Sequence, residues 1–349
     1  MRRFFHPVGF ADSVGLSNEA LAQSQNDFFI NGTITCHSAS PEHMAGLWLA
    51  GREIALVNGH LPAWLKKAMG AALSEVNKCP YCEDMLLSLT LGADEKNLAD
   101  SLRENDLNQI KDESTRKIMQ WTKASQSKHS DLLRNPPFTE EQMPEALGTL
   151  IVFGYTNKIS DFALEGSPVP KLGRGVSLKL FGLELKESAE MELKPGLSLG
   201  LLPEGELPGD LEWSRPAPLV AKSLARWNKV LANGVSEVLS VSAQEIILNS
   251  LAKWEGGPSA LSRAWVEKEI KDVPAYERNR AGLALLVAKA SYQIDDSVIQ
   301  ELADEGASEA DLVRLGAWAA FAGAKTAANW CWEACFQGNK SNNSQLSIV

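Results

Sequence analysis

Apolar residues recur at spacings of three and four through segments 41–57, 61–77, 82–91, 95–103, 115–126, 140–163, 218–236, 242–254, 258–270, 275–292, 295–304 and 308–335. That spacing gathers apolar side chains on one face of a helix with 3.6 residues per turn. Short breaks at Gly, Pro, Asn or Asp separate the segments, as helix ends require. The run from Leu61 to Asn77 is the clearest, because it is rich in strong helix formers and carries Pro62 where an N-terminal turn tolerates it. Ser308 and Asp311 form a Ser-x-x-Asp capping signal ahead of the final segment. The pattern predicts an all-α protein.

Residues 166–217 depart from it, with Pro170, Gly173, Gly175, Pro195, Gly196, Pro203, Gly205, Pro208, Gly209 and Pro216 among alternating stretches such as Val176 to Leu180. This stretch reads as a linker with room for a short hairpin. At 349 residues the chain exceeds the roughly 100–200 of one domain, so two helical units are expected, 1–165 and 218–349, joined by the linker. An internal repeat agrees with that division: Val76, Lys78, Tyr81 and Asp84 recur as Val287, Lys289, Tyr292 and Asp295, each 211 positions later. The second copy has Ala290 and Gln293 where the first has Cys79 and Cys82.

Composition narrows the function classes. A formal net charge of -10 and no basic stripe argue against a nucleic-acid partner, which needs Lys and Arg to neutralise phosphates. No stretch approaches the ~20 consecutive apolar residues of a membrane span, and the opening Met1-Arg2-Arg3-Phe4-Phe5-His6-Pro7 lacks the apolar run of a signal peptide. A cytoplasmic protein without membrane contact is expected. Five cysteines suit a reducing compartment better than a disulfide framework.

In such a compartment Cys79-Pro80-Tyr81-Cys82 reads as redox chemistry before metal binding. Two thiols three residues apart on the first turn of a helix can close a disulfide, and the helix amino end favours the thiolate that acts as nucleophile. Against this stands the plainer reading of cysteines as small buried apolar residues. A zinc site would need two more ligands, for which only Cys331 and Cys335 have suitable spacing, and those read better as packing residues of a Trp-rich terminal helix. No metal and no organic cofactor are expected. The same tetrapeptide occurs in glutaredoxins, but there it follows a strand, whereas here helix lies on both sides.

The helix, Asn77-x-Cys79-x-x-Cys82 segment and second helix resemble the AhpD-like alkylhydroperoxidase and carboxymuconolactone decarboxylase family. Further segments are similar to a longer two-domain branch: Pro137-Phe138, Pro144-Glu145, Gly154 to Lys158, Ser167-Pro168, Leu201 to Pro203, and Leu283 to Asp296. The resemblance implies two AhpD-like helical bundles from a duplication. It also implies assembly as a homo-oligomer, a trimer of two-domain chains. It makes Cys82 the attacking thiol and Cys79 the resolving one. Peroxidase members relay protons through a glutamate twelve residues before the first cysteine and a histidine four after the second. Those positions here are Lys67 and Leu86.

Substitutes are available in the sequence. Lys67 would lower a thiol pKa by its charge, Glu75 or Glu83 would carry a proton, and His60, with His37 and His43, would supply an imidazole. Tyr155, Asn157 and Lys158 are candidates to line the pocket. The leading expectation is a dithiol oxidoreductase of the alkylhydroperoxidase type acting through Cys82, Cys79, Glu75, Lys67 and His60. Its substrate would be a small hydroperoxide or disulfide, and a thiol reductant would restore the pair. The alternatives are a degenerate member serving as a structural or binding subunit, and a carboxymuconolactone decarboxylase-like lyase.

Overall fold

Helix starts follow local chemistry closely. Pro41, Pro80 and Pro218 open helices Pro41–Ala50, Pro80–Gly92 and Pro218–Ser236, where the missing proline N–H is no loss. Asp112, Ser240 and Asp295 cap helices Glu113–Ala124, Val241–Ala252 and Asp296–Asp304 through side-chain oxygens. The Ser308 signal is a reciprocal box: Ser308 N donates to Asp311 Oδ2 at 2.9 Å and Asp311 N to Ser308 Oγ at 3.2 Å. The computed structural model describes residues 1–167, 169–257 and 262–345, with side chains described through 335. Pro168 and residues 258–261 of the segment expected to be helical over 258–270 lie outside the described residues.

Among the described residues the chain is all-α, with no strand beyond one isolated bridge between Ser127 and Gly256. No helix among them is long and apolar enough to cross a membrane. Helix Met143–Ala163 runs through the interior and packs along the last helix, Glu309–Gln345. Side chains from Phe5 to Cys331 form one continuous apolar core, and a smaller cluster lies between helices Gly15–Asp27 and Pro41–Ala50.

The hairpin expected in residues 166–217 is corrected. Val176 to Leu180 lie in helix Arg174–Glu184, which packs on the Pro80 helix at the close approach of Gly182 to Gly92. A Cβ on Gly92 would stand 2.8 Å from the Gly182 carbonyl oxygen, so both positions need glycine. The opposite face of this helix leaves Val176, Leu180 and Leu183 exposed, as is Leu172 just before its start.

Candidate active site

The dithiol is built by a break between two helices. Helix Ala63–Val76 ends at Asn77, and Lys78 turns the chain through a left-handed conformation, φ 59°. Cys79 N then bonds back to Ser74 O at 2.9 Å, and Cys79 stands as the N-cap of the Pro80 helix. Cys82 falls in that helix's first turn, where the unpaired N–H groups favour negative charge. Both thiols are free and buried, Cys79 fully and Cys82 with 5% exposure.

The two sulfurs sit in unequal surroundings. Burial alone would raise the Cys82 thiol, but interactions with Cys79, Ser160 and Asn157 outweigh it and hold Cys82 below the ordinary thiol value. Cys82 Sγ lies 3.2 Å from Ser160 Oγ and 3.6 Å from Thr156 O. Cys79 is pushed well up by burial and by the neighbouring Cys82. The pair is therefore polarised, with Cys82 the better nucleophile and Cys79 holding its proton.

Helix Met143–Ala163 supplies the polar wall. Asn157 accepts from Asn77 Nδ2 at 2.9 Å and donates to Ser74 Oγ at 2.8 Å, which ties the helix break to the interior. Ser160 Oγ is 3.0 Å from Thr33 Oγ1. Asp161 interacts with the Cys79 thiol and accepts from Ser291 Oγ at 2.8 Å. Burial raises the Asp161 carboxyl to about 7 against the opposing pull of Ser291, Cys79, Lys158 and Arg2. A carboxyl titrating near neutrality beside a thiol can accept and return a proton.

Cys82 opens on an apolar cleft of about 110 Å³ lined by Phe28, Trp48, Leu86, Phe153 and Lys67 among others. Lys67 is 2% exposed and donates through Nζ to Ala189 O at 2.7 Å. Burial, then the neighbouring Lys66, lowers its ammonium to about 8. Leu86, at the position of the family's histidine, is a cleft wall.

The other sequence candidates are dispersed. Glu75 accepts from Lys123 Nζ at 2.9 Å and from Asn105 Nδ2 at 3.2 Å, on the surface. It would share a face with the cysteines only in an unbroken helix, and the break at Lys78 removes that alignment. Glu83 pairs with Arg174 at 2.7 Å. His60 is exposed, and its backbone N–H is held by Glu145 Oε1 at 2.8 Å. His37 is the histidine nearest the dithiol by bonding: it donates through Nδ1 to Thr33 O at 3.0 Å and accepts from Tyr155 OH at 2.7 Å. Burial lowers its imidazole to about 4, so it is neutral at ordinary pH. Cys331 and Cys335 belong to the last helix, against Ser125 O and Leu133 O. No group of three or more His, Cys, Asp and Glu side chains suited to a metal ion occurs among the described residues.

Ser160 and Asp161 were not among the sequence candidates. A signal for them existed: Asn157, Ser160 and Asp161 are spaced three and four apart near the end of a largely buried 21-residue helix. Polar residues on one face of a buried helix need partners, and here the thiols are among them.

Fold and site together define an all-α protein with a polarised dithiol at a helix amino end. The chain is 25% identical over 285 residues to the alkyl hydroperoxide reductase Rv2159c of Mycobacterium tuberculosis strain ATCC 25618 / H37Rv, covering 81% of each chain. That likeness supports an AhpD-like family for the protein, at a distance. No protein-family model matches the chain, and no solved structure does.

Proposed function

We propose that the protein is a dithiol peroxidase of the AhpD-like type that reduces an alkyl hydroperoxide with an apolar body. The observation that carries this reading is the polarised Cys82 thiol facing an apolar cleft, with Cys79 and Asp161 beside it. The Cys82 thiolate attacks the terminal peroxide oxygen, the O–O bond breaks, and the alkoxide leaves as alcohol after taking from solvent the proton that Cys82 released on ionising. Cys82 is then a sulfenic acid. The Cys79 thiol gives its proton to Asp161 and attacks the Cys82 sulfur, forming the disulfide and releasing water, which takes that proton. Two electrons pass from the dithiol to the peroxide, and an external thiol reductant restores the pair by exchange.

Asp161 takes the place of the absent glutamate and histidine relay. Reduced protein is expected to consume tert-butyl hydroperoxide with one disulfide formed per peroxide, at a rate that rises through pH 7 as Asp161 ionises. Asp161→Asn should lower the rate about 10²–10⁴-fold and remove that rise. A pH profile unchanged in Asp161→Asn would exclude the role. The burial of both thiols favours a second reading, a structural or binding subunit, in which neither wild type nor variant consumes peroxide.

The duplication belongs to the same proposal. Helices Ala63–Val76 and Pro80–Gly92 flank the dithiol as Arg278–Ala290 and Asp296–Asp304 flank Ala290 to Gln293, where no dithiol chemistry is possible. Self-association is proposed on the exposed stripe Leu172, Val176, Leu180 and Leu183. The double variant Leu180→Glu with Leu183→Glu should then run as monomer in light scattering, while the wild type runs as a larger species. Wild type running as monomer would refute assembly.

A further inference from the structure

Beyond the apolar cleft, a second cavity reaches the surroundings of the dithiol. Its walls include Asn77, Lys78, Lys158, Trp254, Lys289 and Ser291, and among the described residues no carboxylate side chain lines it. Two of these residues bond directly to groups facing the thiols: Asn77 donates to Asn157, and Ser291 to Asp161. Three lysines line one cavity in a chain of net charge -10, with Asp161 and Glu269 acting on two of them from outside its walls. Mutual repulsion should scatter them unless something negative joins them.

Lys158 sharpens the question, because it is 94% buried (6% exposed). Among the described residues its Nζ forms no ion pair and no hydrogen bond, and its ring neighbour is Trp254, with the ammonium 5.6 Å from the centroid. Asp161 attracts it from a distance without pairing. Lys289 is better held, donating to Ser250 Oγ at 2.8 Å, and Lys78 lies 5.1 Å from the Tyr292 ring centroid. A largely buried lysine with a ring beside it and Asp161 beyond ion-pair distance keeps part of its desolvation penalty, which a bound anion would relieve.

We propose that this cavity binds a small anion carrying a carboxylate or phosphate group, with Lys158 as its central charge. Lys289 and Lys78 flank the anion, and Asn77 offers the amide hydrogen that it does not give to Asn157 as a neutral donor. The site is separate from the peroxide cleft and does not depend on the peroxidase reading, although Ser291 and Asn77 place its occupant one hydrogen bond from Asp161 and Asn157.

Calorimetric titration of the full chain with inorganic phosphate, and separately with succinate, in a zwitterionic buffer at low salt tests it. Saturable one-site binding of at least one anion is expected, weakened tenfold or more in Lys158→Met and also in Lys289→Met, and unchanged in Lys117→Met on the exposed surface. A preference for phosphate marks a phosphorylated ligand, and one for succinate a carboxylate; either supports the site. Absence of saturable binding by both anions overturns it, as does binding that both cavity variants leave unchanged. Lys289→Met, at a less buried position, carries the test should Lys158→Met fail to fold.

Discussion

Cys82→Ser is expected to lower hydroperoxide consumption by about 10³-fold or more, the scale on which removing a covalent nucleophile acts. A serine hydroxyl at this position is un-ionised at neutral pH, so the helix amino end and the neighbouring donors have no anion to stabilise. Cys79→Ser should behave differently. Its first step is intact, so it should consume one equivalent of peroxide and stop with Cys82 as sulfenic acid, detectable with a sulfenic-acid-specific nucleophile. The contrast follows from the polarisation of the pair, Cys82 held low and Cys79 pushed up. If Cys79→Ser traps nothing and Cys82→Ser matches the wild type, the dithiol is structural.

The helical frame was legible because its determinants are local. Prolines at first turns, side-chain caps and apolar periodicity act within a few residues of sequence. The hairpin expectation failed over Val176 to Leu180 because positions 176, 180 and 183 lie four and three apart, which serves a one-sided helix as well as alternation serves a strand. At the site, Cys79 and Cys82 could be found because two adjacent turns bring them together. The proton carriers could not. Lys78 breaks the helix and sends Glu75 toward Lys123, while Asp161 reaches Cys79 from a helix eighty residues away in sequence, which no local pattern encodes. His60 is near the dithiol in sequence alone, whereas His37 is linked to Cys82 through Thr33 and Ser160.

Glu53→Ala is expected to cost about 3–5 kcal/mol of stability, read as a lowered urea midpoint, because it removes one of the two carboxylates beside the buried Arg52 and the acceptor of two backbone N–H groups. Arg52 and Glu53, 1% and 2% exposed, lie in a π-helical turn, Gly51–Leu56, that extends helix Pro41–Ala50. Arg52 donates to Asp27 Oδ2 at 2.6 Å, to Glu53 Oε1 at 2.7 Å and to Lys194 O at 3.1 Å. Glu53 also accepts from Gly196 N at 2.7 Å and Ser198 N at 2.8 Å, so one carboxylate pins the Pro/Gly-rich segment to the helical core. Removing it leaves Arg52 with Asp27 and the Lys194 carbonyl and orphans two backbone N–H groups. Hydrogen exchange at Gly196 and Ser198 should accelerate more than elsewhere. Replacing Arg52 by Met in the Glu53→Ala background should recover part of the loss, since the cation left with one carboxylate goes too. Gly51, Ala55 and Leu56 of the same turn line the cleft in front of Cys82, so loosening this anchor should also slow peroxide reduction in a chain that still folds. Stability loss without acceleration at Gly196 and Ser198 would show that Glu53 acts through Arg52 alone.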